Sequence, residues 1–327
     1  MNRTRGPGFN RRLLLQGAAA GAAAPALATT GAAAAAAPAR AAGGPREGAA
    51  AEVVFQWFGT SGWRMDVDGR TVLFDPYLTR FPTGLFTGKF DPKTKLTTNE
   101  ELVSAHMGRP EVVLVSHSHW DHLNDVPFIA TATSAQIVGT ETTYHLLKAF
   151  GVDTTRIIVV KGGEILDFGG YAVEVVSSRH SRNASRGYFA PGTLNGPADR
   201  PRPETIADLP EGDTLAFHVT FDGGPSAFLM GASDFSERDA AGLAPDVAMI
   251  ATPTSSSTRN YVSRLLTALG GPPTVVPVHW DNFETSLAQA PQRDPAVDWD
   301  GFVRQVRSAS PRSRIVVPEY VTPYRFR

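Results

Sequence analysis

Four side chains able to bind a metal stand within six positions of this sequence: His117, His119, Asp121 and His122, in Ser116-His117-Ser118-His119-Trp120-Asp121-His122. Three of the chain's eight histidines fall here, and packing has no use for three imidazoles and a carboxylate in one turn. Imidazole nitrogen and carboxylate oxygen together suit a divalent ion, zinc first, with iron or manganese as alternatives. The chain contains no cysteine, so neither a thiolate ligand nor a cysteine nucleophile is available. A bound zinc lowers the pKa of its water to about 7, which supplies hydroxide at neutral pH with no protein nucleophile. Ser116 and Ser118 therefore read as turn residues.

The cluster follows 111–115, a nearly continuous apolar run of the kind shown by a strand buried on both faces. In a turn after such a strand, His117 and His119 can point to one side while Asp121 and His122 reach a neighbouring point. Upstream, 53–58, 64–67 and 71–74 read as a small antiparallel meander. Downstream, helical spacing at 125–131, 142–150, 261–269 and 299–306 alternates with strand-like runs at 135–138, 157–160, 165–168, 171–176, 214–221, 227–230, 247–250, 275–278 and 314–317. This alternation predicts two sheets with helices outside. Two segments, 79–95 and 181–212, lack periodicity; such stretches are lids or binding loops, or they cover a domain edge or an oligomer contact.

The signature His-x-His-x-Asp-His resembles that of the metallo-β-lactamase superfamily. The resemblance implies an α/β fold over residues 52–327, a four-layer αββα sandwich of two mixed sheets with helices outside. It also implies further ligands in order: His180, Asp234 in Gly231-Ala232-Ser233-Asp234, and His279, each after a strand. By the family pattern His117, His119 and His180 hold one ion, Asp121, His122 and His279 hold a second, and Asp234 bridges them. Two divalent ions, zinc most readily, are the expected cofactors, and Asp121 is expected to orient the attacking hydroxide. Asp75, in Phe74-Asp75-Pro76-Tyr77, matches an early acidic position whose carboxylate accepts the spare N–H of a ligand histidine; a plain turn residue before Pro76 is the alternative. His106, His145 and His218 are left as structural or surface residues.

Branches of that superfamily with cysteine in the second site are excluded by composition. Histidine-only lactamases lack the bridging aspartate that Asp234 would supply, which disfavours β-lactam hydrolysis. Trp57-Phe58-Gly59-Thr60-Ser61-Gly62, the turn at Asp75 and Pro277-Val278-His279-Trp280 resemble a branch containing a sugar-acid-phosphate lactonase and the N-acylphosphatidylethanolamine phospholipase D. Thr60 departs from that branch, where histidine is commoner. Hydrolysis of an ester, lactone or phosphodiester in a small molecule is the expectation. Trp120, Tyr188, Trp280 and Phe283 either line an apolar substrate pocket or belong to the core. Arg179, Arg182 and Arg186 either hold a phosphate or carboxylate or form a solvated face. An exported metal-binding protein without turnover is the competing class; loss of a ligand would mark it, and none is lost.

The 31 basic and 32 acidic residues nearly cancel, which gives no footprint for nucleic acid and no polybasic membrane patch. The N-terminus has a different character. Arg3, Arg5, Arg11 and Arg12 precede a modestly apolar Ala/Gly run, and Ala26-Leu27-Ala28 offers a small-residue cleavage site. Asn10-Arg11-Arg12-Leu13-Leu14-Leu15 resembles a twin-arginine export signal. Residues 1–28 are thus expected to direct export, with an ordinary secretion signal or an uncleaved anchor as alternatives, and 29–51 to form a flexible Ala/Gly/Pro spacer. Gln16, Gly17 and Pro25 interrupt the ~20 apolar residues that a spanning helix needs, so no integral membrane segment is expected in the mature chain.

Overall fold

The computed structural model describes residues 51–326, apart from 184, 199 and 253–257. The expected export signal, residues 1–28, and nearly all of the expected spacer lie outside the described residues. The first half of the domain runs β1 (Val53–Gly59), β2 (Gly62–Val67), β3 (Arg70–Phe74), α1 (Glu100–His106), β4 (Pro110–Leu114), α2 (Trp120–Leu123), α3 (Val126–Ala132), β5 (Gln136–Gly139), α4 (Glu141–Ala149) and β6 (Ile157–Val159). The second runs β7 (Ile165–Asp167), β8 (Tyr171–Arg179), β9 (Leu215–Phe221), β10 (Ser226–Met230), β11 (Asp234–Phe235), α5 (Glu237–Ala240), β12 (Val247–Ala251), α6 (Tyr261–Ala268), β13 (Thr274–Val278), α7 (Trp299–Ala309), β14 (Arg314–Ile315) and β15 (Pro323–Tyr324).

These strands form two mixed sheets. One has the order β15-β1-β2-β3-β4-β5-β6; the other has β11-β8-β9-β10-β12-β13-β14, with β7 also paired to β8. Tight turns join β1 to β2, β2 to β3, β7 to β8 and β9 to β10, whereas the parallel steps from β3 to β6 and from β10 to β14 need crossovers, and helices supply them. Burial follows: β12 and β13 are buried at every position, while β1 alternates at its start. Aromatic residues join the sheets face to face, Phe55 of β1 against Phe221 of β9 (6.1 Å between ring centres) and Phe74 of β3 against Phe217 of β9 (6.0 Å). Helices α1, α3 and α4 pack on the first sheet's side, and α5, α6 and α7 pack together on the second's. The architecture is the expected metallo-β-lactamase fold.

The short elements α1, α2, α5, β11 and β15 were not legible in sequence. Helix α1 is short and mostly polar, and depends on Asn99 Oδ1 accepting from Leu102 N (3.0 Å) to cap it. Strand β15 exists only as the partner of Phe55 and Gln56. The segment 79–95 holds a single 3-10 turn, Leu85–Thr87, between Gly84 and Gly88 with φ of 81° and 71°, a conformation that favours glycine.

Candidate metal centre

Five strands, β3, β4, β8, β10 and β13, end at one edge of the sandwich, and the residues after them build the site. After β3, Asp75 is fully buried and accepts three hydrogen bonds: from Ser116 N (2.7 Å), Ser116 Oγ (2.5 Å) and His122 Nδ1 (2.8 Å). This carboxylate ties the end of β3 to the turn after β4. The single turn of α2, with His119 at its N-cap, carries Asp121 and His122. The turn is also held from the far side, where Ser118 N donates to Glu211 O (2.8 Å) and Glu211 Oε2 accepts from Tyr188 OH (2.5 Å).

After β13, His279 adopts a left-handed φ of 57°, a conformation that costs about 1–3 kcal/mol for a residue with a side chain. The surroundings impose it. His279 N donates to Thr60 O (2.7 Å), Thr60 N donates to Asp281 Oδ1 (2.9 Å), and Thr252 Oγ1 donates to His279 O (3.1 Å). Asp281 Oδ2 in turn accepts from Tyr320 OH (2.6 Å) and Arg80 Nη1 (3.2 Å), with the ion pair almost wholly buried.

The structure gathers two groups: His117, His119 and His180, and Asp121, His122 and His279, each offering ligand atoms within 4.8 Å of one another. The His117 and His122 rings, 3.9 Å apart, join the groups. The residues fit divalent ions. His117 Nε2 is buried with no partner, an arrangement that otherwise costs about 1–3 kcal/mol. Several ring nitrogens on the other side are already engaged. His180 Nδ1 donates to Ser181 O (2.8 Å), His122 Nδ1 to Asp75, and His117 Nδ1 lies 3.0 Å from Ser116 Oγ. Such partners fix the tautomer of a ligand histidine and leave its other nitrogen for the metal.

Electrostatics differ between the groups. Burial pushes His117 well below the ordinary histidine value, and His122, His119 and His180 add to it. Burial likewise takes His119 to about 4, against the pull of Asp121, and His180 to about 3, with His119 adding. Burial also opposes charge on His122, but Asp121 and Asp75 outweigh it and hold the imidazole at about 10. Asp121 is pulled well below the carboxylate range because His122 and His279 outweigh its burial. At neutral pH the first group is unprotonated, whereas the second carries a proton on His122.

Asp234 is not among the residues of the two groups. It opens β11, paired to Ser178 and Arg179 of β8, and its Oδ1 accepts from Phe235 N (2.8 Å). Gly231, Ala232 and Ser233 line the cavity. Ser233 N donates to Ser181 Oγ (2.7 Å). Asp234 belongs to neither group, and its bridging role rests on the family pattern alone.

Around the metal centre is a cavity of about 590 Å3, lined by both groups and by Trp120, Tyr188 and Phe283. Trp280 does not line it; its ring stacks on Trp57 of β1 at 5.3 Å, in the core. Nor do Arg179, Arg182 or Arg186. Arg179 and Arg186 are exposed, and the Arg182 guanidinium sits over the Tyr188 ring (5.9 Å). Phe86, Phe90 and Phe189 also line the cavity, from the two segments that lacked periodicity. Their sequence signal was weak: apolar rings in stretches with no strand or helix to bury them. Ser116 is more than a turn residue, since its hydroxyl links Asp75 to His117.

Residues 54–279 match the model of the β-lactamase superfamily domain. A UPF0173 metal-dependent hydrolase of Methylocella silvestris is 33% identical over 125 residues, 38% of this chain and 47% of that protein. Another, from Salinibacter ruber, is 25% identical over 255 residues, 77% of this chain and 96% of that protein. The chain spans about half the length of the Methylocella protein and of others of that family. Among solved structures, a metallo hydrolase of the archaeon Ignicoccus hospitalis shares the fold, with a TM-score of 0.56 and 21% identity over 84% of this chain and 98% of that one. With a single family model matching from β1 to His279, on a fold of two mixed sheets, the chain belongs to the metallo-β-lactamase superfamily.

Proposed function

We propose that the protein is a metal-dependent hydrolase that holds two divalent ions, zinc most readily, and cleaves an ester, lactone or phosphodiester bond with an activated water. The observation that carries this reading is the pair of three-residue groups opening on one cavity, with the buried His117 Nε2 left unpartnered. The names of the UPF0173 relatives support it. Bound there, divalent ions supply an acidified water and a Lewis acid for the scissile oxygen. The chain's own residues do the rest. His117, His119 and His180 hold one position as neutral imidazoles, and Asp121, His122 and His279 hold the other. Asp121, kept ionised by its two histidine neighbours, orients the attacking water. Asp75 keeps the His122 proton on Nδ1, so that Nε2 faces the ion.

Metal analysis followed by hydrolysis assays on lactones, aryl esters and bis-aryl phosphodiesters tests this. About two ions per chain are expected, with activity on one class that disappears in His119→Ala and Asp121→Ala. Two bound ions with no turnover would favour a metal-binding protein instead. The resemblance to the lactonase and phospholipase branch draws support from Trp57 and Trp280, both in its motifs, which stack on one another.

One observation favours a second reading. The two groups, without Asp234, already make up the ligand set of histidine-only lactamases. Turnover of a chromogenic cephalosporin would decide for it. We further propose export of the domain by the twin-arginine route, on the strength of Arg11-Arg12 and the apolar run that follows. Among the described residues no helix is long and apolar enough to cross a membrane. Fractionation that finds the protein only in cytosol would overturn export.

A further inference from the structure

Two features of the cavity narrow its substrate. The first is an aromatic wall beside the metal centre. Phe90, Trp120 and Phe189 pack mutually edge-on or tilted, with ring centres 5.1–5.9 Å apart. Phe283 continues the wall at 6.3 Å from Trp120, meets Phe86 at 5.0 Å, and stands 5.3 Å from the His279 ring. Phe189 lies 5.8 Å from His119. The wall thus touches both halves of the metal centre, so a group attached to the reacting bond meets it directly. Phe86 and Phe90 come from one loop and Phe189 from another, and all three remain only partly buried. These rings are not needed to fill the core.

The second feature is charge. No lysine or arginine lines the cavity among the described residues, and the undescribed 253–257 contain none in sequence. Asp294 is the one carboxylate in the lining outside the metal centre. Tyr188 gives its hydroxyl proton to Glu211 (2.5 Å), so it offers no free donor to an anion. Away from the metals no cation lines the cavity itself, the nearest being Arg182 over the outer Tyr188 ring (5.9 Å), and a charge seated against the apolar rings is disfavoured. Trp120 Nε1 is a neutral donor buried without a protein acceptor.

We propose that this cavity takes a carboxylic ester or lactone carrying an uncharged apolar substituent, an alkyl chain or a ring, seated against Phe86, Phe90, Trp120, Phe189 and Phe283. The proposal rests on the hydrolase reading and selects within it. The reaction balances with water alone: an oxygen–acyl bond forms, the acyl–oxygen bond of the ester breaks, and the alcohol leaves with a proton. The volume, about 590 Å3, lies in the range of small-molecule sites. β-Lactam antibiotics, whose carboxylate lies away from the scissile bond, are disfavoured by the same lining.

The test uses the full chain loaded with zinc and a series of γ-lactones with no alkyl substituent through hexyl. A lactone of matched length ending in a carboxylate, bis(p-nitrophenyl) phosphate and a cephalosporin complete the panel. We expect kcat/KM to rise by up to about fourfold per methylene while the wall is being filled. The terminal carboxylate should cost at least about tenfold, and Phe90→Ala or Phe283→Ala should flatten the series, mainly through KM. A flat series in the unaltered protein, or preference for the phosphodiester or the cephalosporin, overturns the proposal. Binding of 2-octanone and 2-decanone, neutral ketones that cannot be hydrolysed, is read in parallel by tryptophan fluorescence. Saturable binding that tightens with chain length, with no turnover of any substrate, places the failure on the hydrolase reading. Absence of both turnover and binding overturns the pocket.

Discussion

The two ligand groups are predicted to load metal with opposite sensitivity to pH, and His122 is the reason. Its imidazole is held at about 10 between Asp121 and Asp75, so at pH 7 a proton must leave before Nε2 can bind an ion. That proton lowers the second ion's apparent affinity at pH 7, by about 1.36 kcal/mol for each unit by which the imidazole titrates above the pH. His119 and His180 titrate only near 4 and 3, so the first group pays no such penalty at pH 7. Between pH 6 and 9 the first ion's affinity is therefore expected to stay flat, while the second's rises about tenfold per unit. Calorimetric zinc titration of the chelator-stripped protein, in two buffers of different ionisation enthalpy, counts the protons. Loss of a proton from a metal-bound water would mimic the effect, and Asp75→Asn separates the two. Removing one of the carboxylates that raise His122 should shift the pH dependence downward, whereas a water-derived proton would persist unchanged. A second ion that binds independently of pH, or a slope indifferent to Asp75→Asn, would refute the assignment.

Other outcomes follow from the same contacts. Asp75→Asn should also lower metal affinity by about 10- to 100-fold, measured as ions retained per chain after dialysis. A methyl group at Gly231 would run into Ser116 Oγ and stand 2.8 Å from Asp75 Oδ2, so Gly231→Ala should cost about 1–3 kcal/mol in urea unfolding and weaken metal retention. Arg80→Ala leaves Asp281 buried without its cation and should cost about 3–5 kcal/mol; an unchanged unfolding midpoint would count against the network's role. The metal-free protein should be most stable near pH 6.5. Above it, the contribution of His122, whose folded pKa is raised, is lost progressively towards pH 10. Below it, His119 and His180, whose folded values are lowered, favour the unfolded chain as pH falls towards 4 and 3. Urea unfolding across pH 5–9 checks both limbs.

How much of the molecule the sequence determined depends on the range of the interactions involved. The turn from His117 to His122 was legible because six consecutive residues carry their own geometry once a buried strand delivers them, and 111–115 announces that strand by composition. Most strands and the longer helices were legible for the same reason: periodicity of 2 or 3.6 is local. The place of Asp234 was not, because it depends on β11 pairing with β8 and on Ser233 bonding Ser181, contacts 52 to 57 residues apart in sequence. The aromatic wall was not legible either. Phe90, Trp120, Phe189 and Phe283 come from four separate stretches, and no one of them has a period. The left-handed conformation of His279 likewise appears only when Thr60, Thr252 and the Arg80–Asp281 pair close around it. Residue types and local spacing thus set the chemistry available to this protein. The place of Asp234, and what kind of substituent the cavity can accept, were decided by long-range pairing, because only the packed sheets bring those residues within a few ångströms of one another.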